Sequence, residues 1–175
     1  MKKTTFVINM LAAVWLFAAC TQQQDKEETV VQQAPEAPQP VVDTAAEEAA
    51  VKEVLWAYKS ALERLDVSGT DSLFASDSEI IETGKVEGTY ADYLDHHIGP
   101  ELGHFKSFTF ENYQVRVHVA GEYAFTTETY NYVIVLQQDE RVIERQGVAT
   151  SVLHKQDGSW KILKAHNSSR PVKKQ

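Results

Sequence analysis

The side chains of this sequence best able to move a proton are its histidines and one glutamate set among tyrosines. His166 closes the segment Trp160–His166, and if that segment is a strand, period-two alternation puts it on the face of Trp160 and Ile162. An imidazole among large apolar residues is poised as a general acid or base, because it titrates near neutrality and its surroundings move it from there. At a rim, the same histidine would merely hydrogen-bond a carboxylate. His97 follows Tyr93 by four residues and Tyr90 by seven, so on a helix it shares their face while His96 points about 100° away. It also lies in the last turn before Gly99-Pro100, where unpaired carbonyls and the helix dipole favour a protonated ring. C-terminal capping is then its plainer role. Glu128 has the strand parity of Thr126, Tyr130 and Tyr132. On a concave face it would be an acid, a base or a polar anchor beside two phenols, and on the outer face an ordinary surface charge. Tyr58 falls in a helical stripe of apolar residues, where a tyrosine either serves a pocket or packs as core with its hydroxyl bonded. A ligand pocket assembled from this sequence would draw on Tyr58, His97, Glu128, Tyr130, Trp160 and His166.

His97, His104 and His166, with Glu101 or Glu128, are also the conceivable ligands of a transition metal, and zinc or copper would accept such a set. Nothing in their spacing makes a dense histidine repeat, so no resident cofactor is expected. The sequence has no Gly-rich phosphate loop, no Gly-x-Ser-x-Gly elbow and no His-Glu-x-x-His helix. Its formal charge of −8 argues against nucleic acid, which requires a basic face.

These residues need positioning elements, and the periodicity supplies them. Thr44 and Glu47 have capping-box spacing, and Val51, Val54, Leu55, Tyr58, Leu62 and Leu65 then recur at helical steps until Ser68-Gly69. A short helical turn over 72–75, a strand over 79–83 and turns at Gly84 or Gly88 follow. Thr89 to Asp92 is a second capping signature, opening a helix that Gly99-Pro100 should stop. From Lys106 the period changes to two. Tyr113, Val115, Val117 and Val119 form one face of a strand, but Phe108 and Phe110 have the opposite parity, which predicts a bulge near Glu111-Asn112. Turns at Ala120-Gly121, Gln138 to Glu140 and Asp157-Gly158 divide strands over 123–136, 142–154 and 160–166. Helices followed by successive hairpins predict an α+β domain, with the helices packed on a strongly curved antiparallel sheet.

That order, closing on Asp157-Gly158-Ser159-Trp160-Lys161-Ile162 and a histidine, resembles the nuclear transport factor two-like superfamily, and within it the SnoaL-like and ketosteroid-isomerase-like bacterial proteins. The resemblance implies a cone over residues 44–170 whose open end holds a pocket. Members use that pocket for isomerisation, cyclisation, dehydration, ligand binding or dimerisation, so it implies a small-molecule ligand and allows a homodimer. It leaves strong catalysis undecided, because a fold does not carry a function.

Residues 1–43 have another character. Lys2 and Lys3 precede an apolar run from Phe6 to Ala19, at about 14 residues too short to span a bilayer but suited to an export signal. Leu16-Phe17-Ala18-Ala19-Cys20 resembles a bacterial lipobox, with Phe17 in place of the usual aliphatic residue. It implies a signal peptide over 1–19, lipidation of Cys20 and membrane attachment through acyl chains such as palmitate. Cys20 is the only cysteine, so no thiol would remain for a disulfide or a nucleophile. Gln22 to Pro40 carries glutamine, acidic and proline residues with almost nothing to bury, so 20–43 reads as a tether. Residues 171–175 form a basic tail. Thr21 after Cys20 points to the periplasmic face of the outer membrane, or to the cell surface in a Gram-positive host.

Overall fold

The computed structural model describes residues 43–173. Cys20, the signal-like segment and most of the tether lie outside the described residues, and no helix among the described residues is long and apolar enough to cross a membrane.

Helix α1 runs over Thr44–Glu63. Its N-cap is Asp43, whose carboxylate accepts from the Ala46 amide at 3.2 Å. The expected box on Thr44 is thus displaced by one residue, and Glu47 instead reaches the far end of the chain, accepting from Lys155 Nζ at 2.5 Å and Trp160 Nε1 at 2.8 Å. Those two bonds hold its carboxyl below the usual range. Val51, Leu55, Tyr58 and Leu62 bury the inner stripe, each aliphatic side chain contributing about 1.5–3 kcal/mol. Arg64 caps the C-terminus, before the predicted stop, and Leu65 turns the chain at φ 56°. A 3-10 turn over Thr70–Leu73 leads into β1, Phe74–Glu82, a longer strand than the period predicted. The turn at Gly84 returns the chain as β2, Lys85–Gly88.

The second helical region departs from expectation in an instructive way. Thr89 and Asp92 form the predicted capping box at the start of α2, Tyr90–Tyr93. The chain does not stop at Gly99-Pro100: it widens into a π-helical turn over Leu94–Ile98 and continues as α3, Gly99–Leu102. Gly99 donates to Leu94 O across the wide turn. A β-carbon at Gly99 would lie 2.3 Å from that oxygen, so only glycine fits. The added residue relieves the clash between a proline ring and the carbonyl four residues back, which would otherwise break the helix.

The sheet follows in four long strands: β3 over Phe105–Ala120, β4 over Tyr123–Leu136, β5 over Val142–Gln156 and β6 over Ser159–Pro171. Its order is β2-β1-β6-β5-β4-β3. The hairpins are antiparallel as expected, but β1 joins β6 in parallel, because β1 enters the sheet from the helical side rather than through a hairpin. Two bulges shape the concave face. In β3 the register slips between Glu111 and Gln114, with Asn112 at φ 53°, so Phe108 and Phe110 face inward before the slip and Tyr113 and Val115 after it. In β6 the pairing moves from Ile162 to Lys164, leaving Leu163 unpaired. Helix α1 lies across the concave face, giving the α+β architecture of an N-terminal helix on a curved six-stranded sheet.

Candidate functional site

The cone's interior has a deep end and a mouth. At the deep end, α1 delivers Lys59 and β4 delivers Glu128, both almost fully buried, with Nζ 3.5 Å from Oε2. Lys59 reaches the core because it stands four residues after Leu55 and three before Leu62. Its ammonium sits over three rings, 4.9 Å from the centroid of Tyr130, 5.3 Å from Phe110 and 5.7 Å from Tyr58. Ring faces attract a cation, and the nearby carboxylate does so more strongly. Burial, the strongest single influence, pushes the Lys59 pKa down, but Glu128 together with Tyr130 and Glu82 more than offsets it, so the group stays above its ordinary value and remains protonated. Glu128 also accepts from the Tyr113 hydroxyl at 2.7 Å. The β3 bulge aims Tyr113 at this carboxylate, and Trp56, half-exposed on α1, packs on its ring at 5.6 Å. Burial, with Glu128 behind it, raises the phenol of Tyr113.

Tyr130 is placed by a missing side chain. A β-carbon at Gly147, its partner on β5, would lie 2.3 Å from Tyr130 Cε2. The ring therefore lies flat on the β5 backbone, where it closes one wall of the cavity.

Toward the mouth, a cavity of about 90 Å³ lies between Lys59, Tyr93, Phe105, Phe108, Phe110, Tyr132 and Asn167, with Glu82 and Glu101 at its outer edge. A water-sized space of about 10 Å³ separates Lys59 and Glu128 from Ser151 and Asn167. Glu82, Glu101, Phe105, Tyr132 and Ile134 also belong to an open basin of about 600 Å³ that adds Glu87, His97, His104 and Arg145. His97, delivered by the π-helical turn, stacks on Tyr93 at 5.0 Å. Three carboxylates surround it: Glu82 at 3.4 Å and Glu101 at 3.6 Å from Nε2, and Glu87 at 3.8 Å from Nδ1. Tyr93 donates to the same Glu82 at 2.6 Å. Burial, together with Glu82 and Glu87, raises the pKa of Glu101 against the pull of His97.

The sequence-derived candidates thus separate. Tyr58, Glu128 and Tyr130 meet at the deep end around Lys59, while His97 stands at the mouth beside a carboxylate set that includes Glu101. Trp160 faces inward too, buried at the closed end and bonded to Glu47. His166 does not join them. The bulge at Leu163 reverses the alternation from Trp160 and Ile162, so Ala165 and Asn167 turn inward and His166 stands exposed on the outer face beside Phe125 and Val152. A metal site of His97, His104 and His166 is dispersed by the same reversal. Among the described residues, no group of three or more histidine, cysteine or acidic side chains is arranged to hold a metal. Several cavity residues escaped the sequence reading, among them Lys59, Glu82, Phe105 and Asn167. Lys59 was signalled only by its helical spacing, and Asn167 was hidden by the bulge.

The comparisons agree with this architecture. A nuclear transport factor 2-like superfamily protein from Salmonella enterica superposes with a TM-score of 0.66 at 19% identity, over 75% of this chain and 96% of that one. A protein from Shewanella frigidimarina, provisionally assigned as a ketosteroid isomerase, gives 0.59 at 26% identity over 68% and 94%. A hexachlorocyclohexane dehydrochlorinase, LinA-type3, from Novosphingobium barchaimii gives 0.62 at 17% identity over 73% and 91%. No curated protein matches the sequence. The SnoaL-like domain family matches residues 51–173, which take in most of α1, the cavity walls and the whole sheet, and the chain belongs to that family.

Proposed function

We propose that this chain is an envelope lipoprotein whose cone binds a small, flat organic molecule, held at the membrane by acyl chains on Cys20. The observation that carries the ligand reading is the aromatic-walled cavity with the Lys59–Glu128 pair at its floor. Concave, mainly apolar space with a few convergent polar groups is the usual form of a small-molecule site. The deep end suits binding better than proton transfer. A general base must be free to accept a proton, whereas Glu128 is engaged by both Lys59 and Tyr113. The N-terminal signal and the lipobox-like Cys20 support the anchor.

A second reading, an isomerase- or dehydratase-like enzyme, is favoured by one observation at the mouth. Glu101 has a raised pKa at the edge of an apolar cavity, with His97 3.6 Å away, and such tuning suits a proton shuttle. In that reading His97 and Glu101 take the part that spacing offered to His166.

Native mass spectrometry of the full chain, extracted from its host in mild detergent, tests the leading reading. A retained small molecule is the expected result; a chain that carries none and binds no aromatic probe at millimolar concentration overturns it. The same spectrum reports whether a second copy covers the outer face, where Phe125 and Val148 stand exposed. For the anchor, Cys20→Ser should abolish incorporation of labelled palmitate, and undiminished label would exclude that site of lipidation.

A further inference from the structure

We propose that Lys59 anchors the ligand of the cone, and that it selects a planar compound with a neutral oxygen acceptor, such as a ketone, lactone or quinone, over a carboxylate. This rests on the reading of the cone as a ligand pocket and names the class that the pocket takes.

The first argument is donor capacity. An ammonium carries three donors. Glu128 faces Lys59 from one side at 3.5 Å, and the other neighbours identified around Nζ are the ring faces of Tyr58, Phe110 and Tyr130. Ring faces draw a cation in but are poor substitutes for an oxygen acceptor. Lys59 also borders both the small space beside Glu128 and the larger aromatic cavity, so an acceptor entering from the mouth can meet it. Because the ammonium stays charged, that contact is a charge-assisted hydrogen bond, roughly twice as strong as a neutral one.

The second argument is charge. Glu128 already balances Lys59, so the deep end is neutral overall. A carboxylate arriving there would approach Glu128 as well as Lys59, after passing Glu82 and Glu101. Burial, with Glu82 and Glu87 adding to it, raises the Glu101 pKa against the opposing pull of His97, so this edge of the cavity disfavours a further negative charge. A neutral carbonyl takes the hydrogen bond without that repulsion.

The third argument is shape. Phe105, Phe108 and Phe110 with Tyr132 line the walls. The inner cavity of about 90 Å³ is smaller than the roughly 150 Å³ that houses a benzene ring. The acceptor end therefore enters first, and the ring body extends into the basin.

Three probes on one bicyclic frame test this by calorimetry on the full chain in detergent: 1-indanone, indane and indane-1-carboxylate. The ketone should bind about tenfold tighter than indane, the worth of one charge-assisted hydrogen bond, and also tighter than the carboxylate. Lys59→Met alone leaves Glu128 buried without its partner, so the diagnostic variant is Lys59→Met with Glu128→Gln, its fold checked by circular dichroism. In that variant 1-indanone and indane should bind alike. If indane matches 1-indanone in the unaltered chain, or the double variant keeps the tenfold preference, Lys59 is not the anchor although the pocket stands. A carboxylate that binds tightest overturns the class. Failure of all three probes to bind at millimolar concentration removes the pocket reading itself and this inference with it.

Discussion

The two ends of the cone hold similar charges under opposite conditions. At the deep end one cation and one anion are sealed among rings, each almost wholly out of water. At the mouth three carboxylates face one histidine: Glu82 and Glu101 remain partly hydrated, with the Glu101 side chain 52% exposed, while the more buried Glu87 is also paired with Lys85. The same chemical groups therefore have different consequences. Buried, they are costly to disturb singly; at the mouth, solvent screens them and they are free to respond to pH.

The most disruptive test of that contrast is to break the deep pair one residue at a time. Lys59→Met or Glu128→Ala should each destabilise the fold by about 3–5 kcal/mol in chemical denaturation, because each leaves a buried charge without its partner. Lys59→Met with Glu128→Gln should recover most of the loss. If the double variant is as unstable as the worse single one, the pair is more than an isolated ion pair. Next in size is Gly147→Ala, which drives a β-carbon into Tyr130 and should cost about 1–3 kcal/mol by overpacking, while weakening binding of an aromatic probe. Tyr113→Phe removes one hydroxyl from Glu128 and should cost about 1.5 kcal/mol; an unchanged denaturation midpoint would mean that water replaces it.

The smallest effect belongs to the mouth. The folded state raises the Glu101 pKa, so it binds more protons there than the unfolded chain does once the pH passes about 4.3. Stability from this group therefore falls as pH rises from that value through the raised one. Glu101→Gln should flatten that fall and slightly raise the melting temperature at neutral pH. A lowered melting temperature would show that the contact with His97 outweighs the repulsion from Glu82 and Glu87. At the deep end the direction is the same but the range is alkaline: the raised Lys59 pKa gives stability that persists below about pH 10.4 and is lost as the pH rises through the folded value.

The sequence announced the fold more clearly than the site, for reasons visible in single residues. The apolar stripe of α1, the capping box at Thr89 and the turns between long strands are local signals, and each produced its element. The bulge at Glu111–Gln114 was legible as well, because Phe108 and Tyr113 cannot share a face without it. No such conflict marks the bulge at Leu163, since Leu163 is apolar and fits either parity. His166 was therefore read on the wrong side. Lys59 illustrates a different limit: its position on the stripe was plain, but its partner lies on a strand distant in sequence, and a lone lysine is normally read as solvated. Pro100 shows the limit of a local rule, since one wide turn carried the helix past it.

The parallel contact between β1 and β6 also constrains when the domain can form. Lys164 of β6 bonds Glu79 of β1 across 85 residues of chain, whereas β3 to β6 are built from neighbours. Long loop closure is slow, so a growing chain should complete its hairpins early and seat β1 with β2 only after β6 has emerged. Until then the acids of β1 and β2 cannot meet the sheet that completes the mouth. In pulse-labelled hydrogen exchange during refolding, amides of β4 and β5 should be protected before those of β1, and simultaneous protection would refute the order.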